Sequence, residues 1–361
     1  MEPPLIEPGR GAVNTGPGSV SVVVTVLRDP RVARTIESLL GQTRAPCLIL
    51  IDDGGGTDEV QRVTAPFSRQ DARVQHLAAP GTIAESRNQA LRVVRSEFIA
   101  FLDADEVAPP AWLDRLLAPF EDPRVGFTGG PTPAMPETLR SIGGRYYDGY
   151  LRRFYDQVAR VQPHALPMGN SAWRKRVFDE VGSLDTTLYP RASSEDQDFA
   201  VRAQQAGWKG VYVPEASVLH DFSEFTTTSF LRKQARYAQG GYVVWRRRGT
   251  TYEARAGSIA PYVALPVLAV LGAILLVFTS TRLAGTVALI VSGIGFLALL
   301  VGLTIQGRLE EVRYPGFKYR ALEIPRRWAT LYGAFRGFWS YGWDGRRQPR
   351  GSPGDNAPGK P

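Results

Sequence analysis

The segment Phe98-Ile99-Ala100-Phe101-Leu102-Asp103-Ala104-Asp105 carries the clearest structural signal in this chain of 361 residues. Its first five residues form a short apolar run without alternation, which is typical of a strand buried on both faces. Two carboxylates follow that run, those of Asp103 and Asp105. Because residues just past such a strand lie at the carboxyl edge of a parallel sheet, where open α/β folds bind ligands, the segment predicts a binding site at that edge.

The spacing of Asp103 and Asp105 also indicates a chemistry. Hard oxygen ligands at this spacing suit Mg²⁺ or Mn²⁺ that bridges to the diphosphate of a substrate. A solvated acidic turn is the alternative for an isolated Asp-x-Asp, since short motifs match by chance. The motifs elsewhere in the chain have to separate these two interpretations.

Strands and helices are expected to alternate ahead of this segment. Apolar or β-branched runs predict strands at Ser21 to Val26, Leu48 to Ile51 and Arg73 to Leu77. Apolar residues at helical spacing lie between them, from Pro30 to Leu40 and from Ala84 to Val94. This alternation predicts an α/β fold with a mostly parallel sheet and right-handed crossovers.

The second half of the chain is expected to mix helices and strands. Helices are predicted from Tyr146 to Val161, Glu195 to Ala206 and Phe230 to Arg248. The stretch from Trp208 to Val213 reads as a strand, and residues 211–219 also have strand-like composition.

The net charge and the cysteine count of the chain limit the kinds of molecule that it is expected to bind. The chain has 43 Lys and Arg against 35 Asp and Glu, a net charge of +8, which fits nucleic acid, an anionic membrane surface or phosphorylated substrates. The arginines cluster beside apolar segments, which disfavours nucleic acid. Cys47 is the single cysteine, so an internal disulfide framework and a Cys-based zinc site are excluded.

Two apolar segments predict a membrane anchor. Ile259 to Thr279 and Leu283 to Gln306 are each long enough to cross a hydrocarbon core of about 30 Å, and Arg282 is the one charged residue between them. They read as a tight helical hairpin, with a buried hairpin of a soluble domain as the alternative. Positive residues flank both outer ends, which predicts a multi-pass protein of the inner or plasma membrane with both termini in the cytoplasm. Those residues are Arg246, Arg247, Arg248, Arg255, Arg308, Arg313 and Lys318.

Four regions are therefore expected. Residues 1–18 form a Pro/Gly-rich disordered tail, residues 19–250 the α/β domain, residues 255–307 the two transmembrane helices, and residues 308–361 a basic tail. Within that tail, Ile324 to Trp343 mixes arginine with aromatic residues, as helices at a membrane interface do. The end of the tail is expected to be disordered.

Two motifs in the first half contain candidate residues for contact with a nucleotide. Asp52 and Asp53 follow the second strand and precede three glycines; a carboxylate there can accept the imide N–H of uracil or bond a ribose, and glycine lets the backbone approach a ligand. Arg87, near the start of a helix, can reach a phosphate. The alternatives are an ordinary turn and a solvated helix face.

Three motifs in the second half are candidates for acceptor and reaction chemistry. Glu195 and Asp196 open a helix, where a carboxylate can act as general base or can simply cap the helix. His220 can complete a metal site otherwise built from carboxylate and phosphate oxygens, or can serve as a core or surface residue. Gly169 and Asn170 form a possible tight loop facing the acceptor.

In their order along the chain these elements resemble glycosyltransferase family 2, the inverting enzymes with a GT-A fold. Val20 to Val26 is similar to the family's opening strand, with Thr25 where a proline is usual. Residues 52–55 resemble its nucleotide-binding Asp-Asp-Gly step, and residues 84–88 its Ala-Arg-Asn helix. Residues 103–105 resemble the Asp-x-Asp that binds nucleotide and divalent metal.

The resemblance continues to about residue 249. Residues 168–171 and 181–185 are similar to the steps around the acceptor site, Glu195-Asp196 resembles the pair whose aspartate is the base, and His220 falls where many members keep a metal-binding histidine. Residues 233–237 read Lys-Gln-Ala-Arg-Tyr where processive polysaccharide synthases carry Gln-x-x-Arg-Trp, which argues against processive polymerisation. Arg28-Asp29 also replaces the usual Asn-Glu.

The resemblance implies a membrane-anchored enzyme that moves a sugar, with inversion, from a UDP- or GDP-type nucleotide-diphosphate sugar to a lipid-linked or polysaccharide acceptor. It also implies contact with membrane lipids and none with nucleic acid. The implied roles are catalysis by Asp196 with Glu195; donor binding by Thr25, Asp52, Asp53, Arg87, Asp103 and Arg236; acceptor binding by Gly169 and Asn170; and binding of Mg²⁺ or Mn²⁺ by Asp105 and His220.

Two other functions stay open at this point. One is a polysaccharide synthase subunit that works with a partner. The other is a non-catalytic membrane protein that binds nucleotides, which would do so regardless of metal and without sugar transfer.

Overall fold

The computed structural model describes residues 16–56, 58–188, 193–249, 260–278, 281–309, 316–343 and 345. Of the stretches predicted to be disordered, residues 1–15 and 346–361 lie outside the described residues. The strands within the described part are β1 (Val20–Val26), β2 (Leu48–Asp53), β3 (Val74–Ala78), β4 (Phe98–Asp103), β5 (Glu106–Val107), β6 (Val125–Gly129), β7 (Asn170–Arg174), β8 (Lys209–Tyr212) and β9 (Leu219–His220).

The helices expected over residues 30–40, 84–94, 195–206 and 230–248 are present within a few residues of their predicted ends, and the helix over residues 58–70 was not predicted from the sequence. The helix expected to end at residue 161 instead ends at Phe154 and continues as a π-helical turn, Tyr155–Ala159. The helices are α1 (Val32–Leu40), α2 (Asp58–Gln70), α3 (Ile83–Val93), α4 (Trp112–Leu117), α5 (Ile142–Phe154), α6 (Lys175–Val181), α7 (Glu195–Gln205), α8 (Thr227–Arg248), α9 (Ala260–Leu275), α10 (Arg282–Leu309), α11 (Phe317–Arg320) and α12 (Glu323–Tyr341).

Seven strands form one sheet in the order β3-β2-β1-β4-β7-β6-β8. β7 runs antiparallel to both of its neighbours, and the other pairs are parallel. Helices cover both faces, so β1, β2 and β4 are buried from both sides and their sequences are nearly continuous apolar runs. The predicted α/β fold with a mostly parallel sheet is confirmed.

The prediction of strand-like structure over residues 211–219 is wrong for the middle of that stretch. β8 ends at Tyr212 and β9 begins at Leu219, with a turn between them. Pro214 lies in that turn, and a proline has no N–H to donate to a strand ladder. β9 pairs instead with β5, antiparallel, with His220 opposite Glu106.

The helix predicted near the chain's end packs on the α/β domain. α12 lies along α8, and the Tyr341 hydroxyl donates to the carbonyl of Leu188 at 2.8 Å. At its other end, the buried carboxylate of Glu323 accepts from the Tyr146 hydroxyl of α5 and from Arg326. The region expected to be only a tail therefore covers one side of the domain.

The two apolar helices α9 and α10 pack against each other, and the Ser292 hydroxyl of α10 donates to the Leu265 carbonyl of α9 at 2.8 Å. Within the described residues one helix, Arg282–Gly302 of α10, is long and apolar enough to cross a membrane. α9 has 16 residues, fewer than the ~20 that a full crossing needs. The two-span hairpin therefore stays a prediction, and the ends of the first predicted span, residues 259 and 279, lie outside the described residues.

The Tyr146→Phe substitution tests the junction between α5 and α12. It removes the hydroxyl that donates to the buried Glu323 carboxylate, and a lost hydrogen bond to a charged group costs about 1.5–3 kcal/mol. We expect a lower thermal unfolding midpoint for the purified protein in detergent.

Tyr332→Phe is the matched control, because Tyr332 lies on the same helix α12 with 58% of its surface exposed. Its unfolding midpoint should equal that of the wild type. Equal midpoints for Tyr146→Phe and the control would show that this hydrogen bond does not stabilise the junction.

Candidate active site

The carboxyl ends of three neighbouring strands place polar side chains at one level of the sheet. Thr25 of β1 lies opposite Asp52 of β2 on one side and Asp103 of β4 on the other. Asp53 follows Asp52 directly and is the last residue of β2. The structure thus brings four of the predicted donor-binding residues to the sheet edge at which open α/β folds bind ligands.

Arg87 connects this edge to the second half of the chain. Arg87 is 2% exposed, and its Nε donates to Thr25 Oγ1 at 3.2 Å. Its terminal nitrogens lie 3.4 Å from the Asp103 carboxylate and 3.8 Å from that of Glu195, at the start of α7. These partners favour a role in positioning the two carboxylates, and the direct phosphate contact expected of Arg87 stays a prediction.

Asp52 and Asp53 have different environments although both are buried. Asp52 Oδ1 accepts from the Ser86 hydroxyl at 2.6 Å, and its Oδ2 is a buried atom with no hydrogen-bond partner in the described structure. Burial raises the pKa of Asp52 to about 7, although the Ser86 hydrogen bond opposes this. Asp53 Oδ1 instead accepts from the backbone N–H groups of Gly55 and Gly56, so Asp53 holds the glycine loop in shape.

Asp103 lies against the loop that precedes β7. Its N–H donates to the Gly169 carbonyl at 3.2 Å, and a Cβ added to Gly169 would lie 2.4 Å from Asp103 Oδ2. Only glycine therefore allows the two segments to approach this closely. The Asp103 side chain remains 40% exposed, so it is accessible to a ligand.

Asp105 and His220 meet where β5 pairs with β9. His220 Nε2 lies 3.1 Å from Asp105 Oδ2, and its Nδ1 lies 3.6 Å from Glu106 Oε1. Arg31 of the β1–α1 loop lies 3.5 Å from Asp105. Burial raises the pKa of Asp105, but His220 and Arg31 outweigh it and lower that pKa to about 2, so this carboxylate is ionised at neutral pH.

The donor set of Asp105 and His220 fits a divalent cation. A carboxylate oxygen and an imidazole nitrogen suit Mn²⁺, and His220 and Asp105 are partly exposed, at 16% and 22%. Among the described residues there is no cluster of three or more His, Cys, Asp or Glu side chains arranged to hold a metal ion. A cation at this pair would therefore take further oxygens from a substrate or from water.

The pair Glu195-Asp196 begins helix α7, and the residue before it has a strained backbone conformation. Ser194 has φ = 99°, a left-handed conformation that is rare outside glycine and costs about 1–3 kcal/mol. The buried Glu195 carboxylate accepts from the Ser193 N–H at 2.8 Å. Asp196 is half-buried, and its oxygens accept from the backbone N–H groups of Met168 and Gln197.

Two of the predicted site residues have contacts that differ from the expected ones. Asn170 is fully buried; its amide accepts from the Trp112 indole at 2.8 Å and donates to two backbone carbonyls. This geometry favours a role in holding the loop, and leaves Gly169 as the nearer candidate for acceptor contact. Arg236 is exposed on α8, with its guanidinium 5.9 Å from the Tyr237 ring centroid.

The structure adds residues that sequence reasoning missed. Glu106, Tyr147, Lys233 and Tyr237 line a cavity beside Asp103 and His220. Glu106 directly follows the Asp-x-Asp segment, and Lys233 is the residue that replaces glutamine in the 233–237 motif. Those two positions were readable from the sequence, whereas nothing in the sequence pairs Tyr147 with α8.

These contacts form a continuous set. Asp105 touches His220, Asp103 touches Gly169 and Arg87, and Arg87 reaches the residue before Asp196. The predicted metal pair, donor edge and base are thus linked by consecutive contacts at one edge of the sheet. Polar groups gathered at the carboxyl edge of an open, mostly parallel sheet are typical of a ligand-binding α/β protein.

Comparison with known proteins identifies the class more closely. The fold matches a mannosyltransferase from Pyrobaculum calidifontis, solved in complex with GDP-Man and Mn²⁺, with a TM-score of 0.56 and 16% identity over 89% of this chain and 87% of that one. The architecture is therefore the GT-A fold. Residues 21–182 match the model of glycosyl transferase family 2, and this part of the chain is a glycosyltransferase family 2 domain.

Relatives with curated names share the same region. A pre-mycofactocin glycosyltransferase of Mycobacterium tuberculosis is 29% identical over 207 residues, which cover 56% of this chain and 42% of that protein. A glucosyl-dolichyl phosphate glucuronosyltransferase of Haloferax volcanii is 26% identical over 58% of this chain and 71% of its own length. The chain thus spans less than half the length of the mycobacterial relative.

The pH dependence of stability tests the environment of Glu195. Burial and the neighbouring Asp196 raise the pKa of Glu195 to about 7, against the effect of Arg87. Between pH 4.5 and about 7 the folded state therefore keeps a proton on Glu195 that the unfolded chain has released at its ordinary pKa of 4.5. The stabilisation of the folded state by this proton is complete below pH 4.5 and is lost as pH rises through about 7. Between pH 5 and pH 7.5 the thermal unfolding midpoint of Glu195→Gln should therefore fall less than that of the wild type.

The control is Glu180→Gln, a carboxylate that is 40% exposed on α6. Its profile should run parallel to that of the wild type. A Glu195→Gln profile that also runs parallel to the wild type would contradict a raised pKa at Glu195.

Proposed function

We propose that this protein is a membrane-anchored, inverting and metal-dependent glycosyltransferase that moves a sugar from a nucleoside-diphosphate sugar to a lipid-linked or glycan acceptor. The observation that carries the proposal is the series of contacts that links Asp103, Asp105, His220 and Asp196 at the carboxyl edge of a GT-A sheet. The non-catalytic alternative gives no reason for a half-buried carboxylate beside the donor edge.

The donor is proposed to bind along the carboxyl edge of the sheet. The unpartnered Oδ2 of Asp52 is available to a base or ribose, while Asp53 shapes the glycine loop that would approach it. Thr25 and Asp103 line the same level of the sheet, and Arg87 holds Asp103 in place. Arg236, exposed on α8, is proposed to approach the diphosphate from the solvent side.

Asp105 and His220 are proposed to hold the cation, Mg²⁺ or Mn²⁺. A bound divalent cation neutralises the negative charge that builds on a leaving nucleoside diphosphate. His220 and, to a smaller extent, Arg31 lower the pKa of Asp105 against its burial, so the carboxylate is ionised as a metal ligand must be. The structural neighbour's complex with GDP-Man and Mn²⁺ supports both the donor class and the metal.

Asp196 is proposed as the general base. Backbone N–H groups of Met168 and Gln197 fix its carboxylate, and its remaining lone pairs can accept the proton of an acceptor hydroxyl. That hydroxyl would attack the anomeric carbon in line with the leaving nucleotide and so invert the centre. Gly169, next to Met168, lies where the acceptor would approach.

The C-terminal helices are proposed to anchor the enzyme at the inner or plasma membrane, with the catalytic domain, residues 19–250, in the cytoplasm. Only 11% of the apolar window of α10 is buried, whereas the core helix of a soluble domain would be mostly covered. Exposed aromatic side chains also run along the outer face of α12, as at a membrane interface, and they are Trp328, Tyr332, Phe335 and Trp339.

A membrane-bound acceptor agrees with this placement. The Haloferax relative is named for a dolichyl phosphate substrate, and a Salmonella anatum relative, 26% identical over 53% of this chain and 62% of its own length, is named an O-antigen chain rhamnosyltransferase. We propose a lipid-linked or polysaccharide acceptor presented at the cytoplasmic leaflet, where anionic lipids attract basic segments.

The Asp196→Asn substitution tests the base. The amide keeps the shape of the side chain but cannot take the proton, so sugar transfer should fall by about 10²–10⁴-fold. The affinity for UDP or GDP with Mn²⁺ should stay unchanged. Transfer would be followed with a panel of radiolabelled nucleotide sugars and membrane lipid extracts, using protein in nanodiscs.

Asp114→Asn, an exposed carboxylate of α4, serves as the control and should leave transfer unchanged. Retained turnover in Asp196→Asn would remove Asp196 as the base. Absence of transfer by the wild type with every sugar of the panel would instead count against the proposed function.

Nucleotide binding with and without metal tests the cation site. We expect calorimetric titration of the wild type with UDP and GDP to show at least tenfold tighter binding of one of them in Mn²⁺ than in EDTA. His220→Gln should lose most of that difference, because it removes one of the two proposed ligands. Nucleotide binding that is equally tight with and without Mn²⁺ would favour the non-catalytic alternative.

A further inference from the structure

A cavity of about 110 Å³ opens beside the candidate site and has both polar and aromatic lining residues. Its acidic and polar lining residues include Asp103, Glu106 and His220. Its aromatic lining residues include Tyr147 and Tyr237. The position of this cavity makes it part of the space that a substrate would enter.

Lys233 is the one lysine or arginine among the described residues that line this cavity. It projects from α8 into a cage of aromatic rings: its Nζ lies 5.2 Å from the ring centroid of Tyr147, 5.5 Å from that of Tyr237 and 5.8 Å from that of Phe225. Cation–π contacts of this kind are attractive, and more so when the cation is desolvated. The cage therefore fixes the position of the ammonium at the cavity wall.

The ammonium has no ion-pair partner of its own in the described part of the chain: no salt bridge within 4.0 Å involves Lys233 there. Asp103, Asp105 and Glu106 act on it only through the longer-range electrostatic field. Removing an ammonium from bulk water without a paired anion is costly. A cation fixed in this way beside a substrate cavity is suited to an anion that arrives with the substrate.

We propose that the Lys233 ammonium binds a phosphate group of a substrate. Lysine presents a compact charge with three donors, which suits phosphate oxygens. The carboxyl groups of Asp103 and Glu106 offer a phosphate no attraction, so Lys233 is the lysine or arginine among the described lining residues that can supply it. The inference rests on the proposed function, and the phosphate belongs either to the donor diphosphate or to a lipid-phosphate acceptor.

The test compares Lys233→Gln, Lys233→Met and Lys233→Arg with the wild type in nanodiscs. Arm one measures the affinity for UDP and GDP in Mn²⁺ without acceptor. Arm two measures the affinity for farnesyl phosphate, with farnesol as the phosphate-free probe. Arg232→Gln is the matched control, because Arg232 is an exposed cation on the same helix.

We expect Lys233→Gln and Lys233→Met to weaken binding at least tenfold in one arm, and Lys233→Arg to stay within threefold of the wild type. A loss for UDP or GDP assigns the contact to the donor. A loss for farnesyl phosphate with farnesol unchanged assigns it to a lipid phosphate. The control should match the wild type in both arms.

Affinities within twofold of the wild type in both arms for the neutral variants would overturn the inference. Unfolding of both neutral variants, judged by their thermal midpoints, would assign the ammonium a structural role and would also overturn it. Because the arms measure binding alone, their result is separate from the transfer assay: a wild type that transfers no sugar counts against the proposed function, whatever Lys233 binds.

Discussion

The buried guanidinium of Arg87 is the interaction on which the arrangement of the site depends. It lies between the carboxylates of Asp103 and Glu195, which come from elements far apart in the chain, and it also donates to Thr25. Burial raises the pKa of both carboxyl groups, and the positive charge of Arg87 opposes that rise at each of them. One arginine therefore joins the donor edge of the sheet to the helix that presents Asp196.

The helices that follow the α/β domain also shape the site. α8 carries Lys233 into the cavity on one side, and on the other side it receives α12, whose Tyr341 reaches the backbone of Leu188. The same helix α12 turns aromatic residues outward. The elements proposed to meet the membrane are therefore packed against those that build the candidate site, which would hold a lipid-linked acceptor near Asp196.

Much of the fold was predictable because it depends on local patterns. Parallel strands buried on both faces must be apolar runs, and the residues that end them must meet at one edge. The position of Asp52 and Asp103 at that edge was therefore predictable from sequence. The stretch around Pro214 was misassigned because its apolar composition resembles a strand, whereas the missing N–H breaks the ladder. The position of α12 on α8 was not predictable, since an amphipathic helix has the same pattern against protein or membrane.

The sequence by itself determined the α/β class, the acidic edge and the family resemblance, because periodicity and short motifs record which residues end each strand. The tertiary structure alone decided what each polar side chain touches. The amide of Asn170 makes its hydrogen bonds in the core, and the guanidinium of Arg87 lies against carboxylates. The ammonium of Lys233 lies among the rings of Tyr147, Phe225 and Tyr237. The reason is physical: contacts between residues distant in sequence depend on how helices pack across the sheet, and no local pattern encodes that packing.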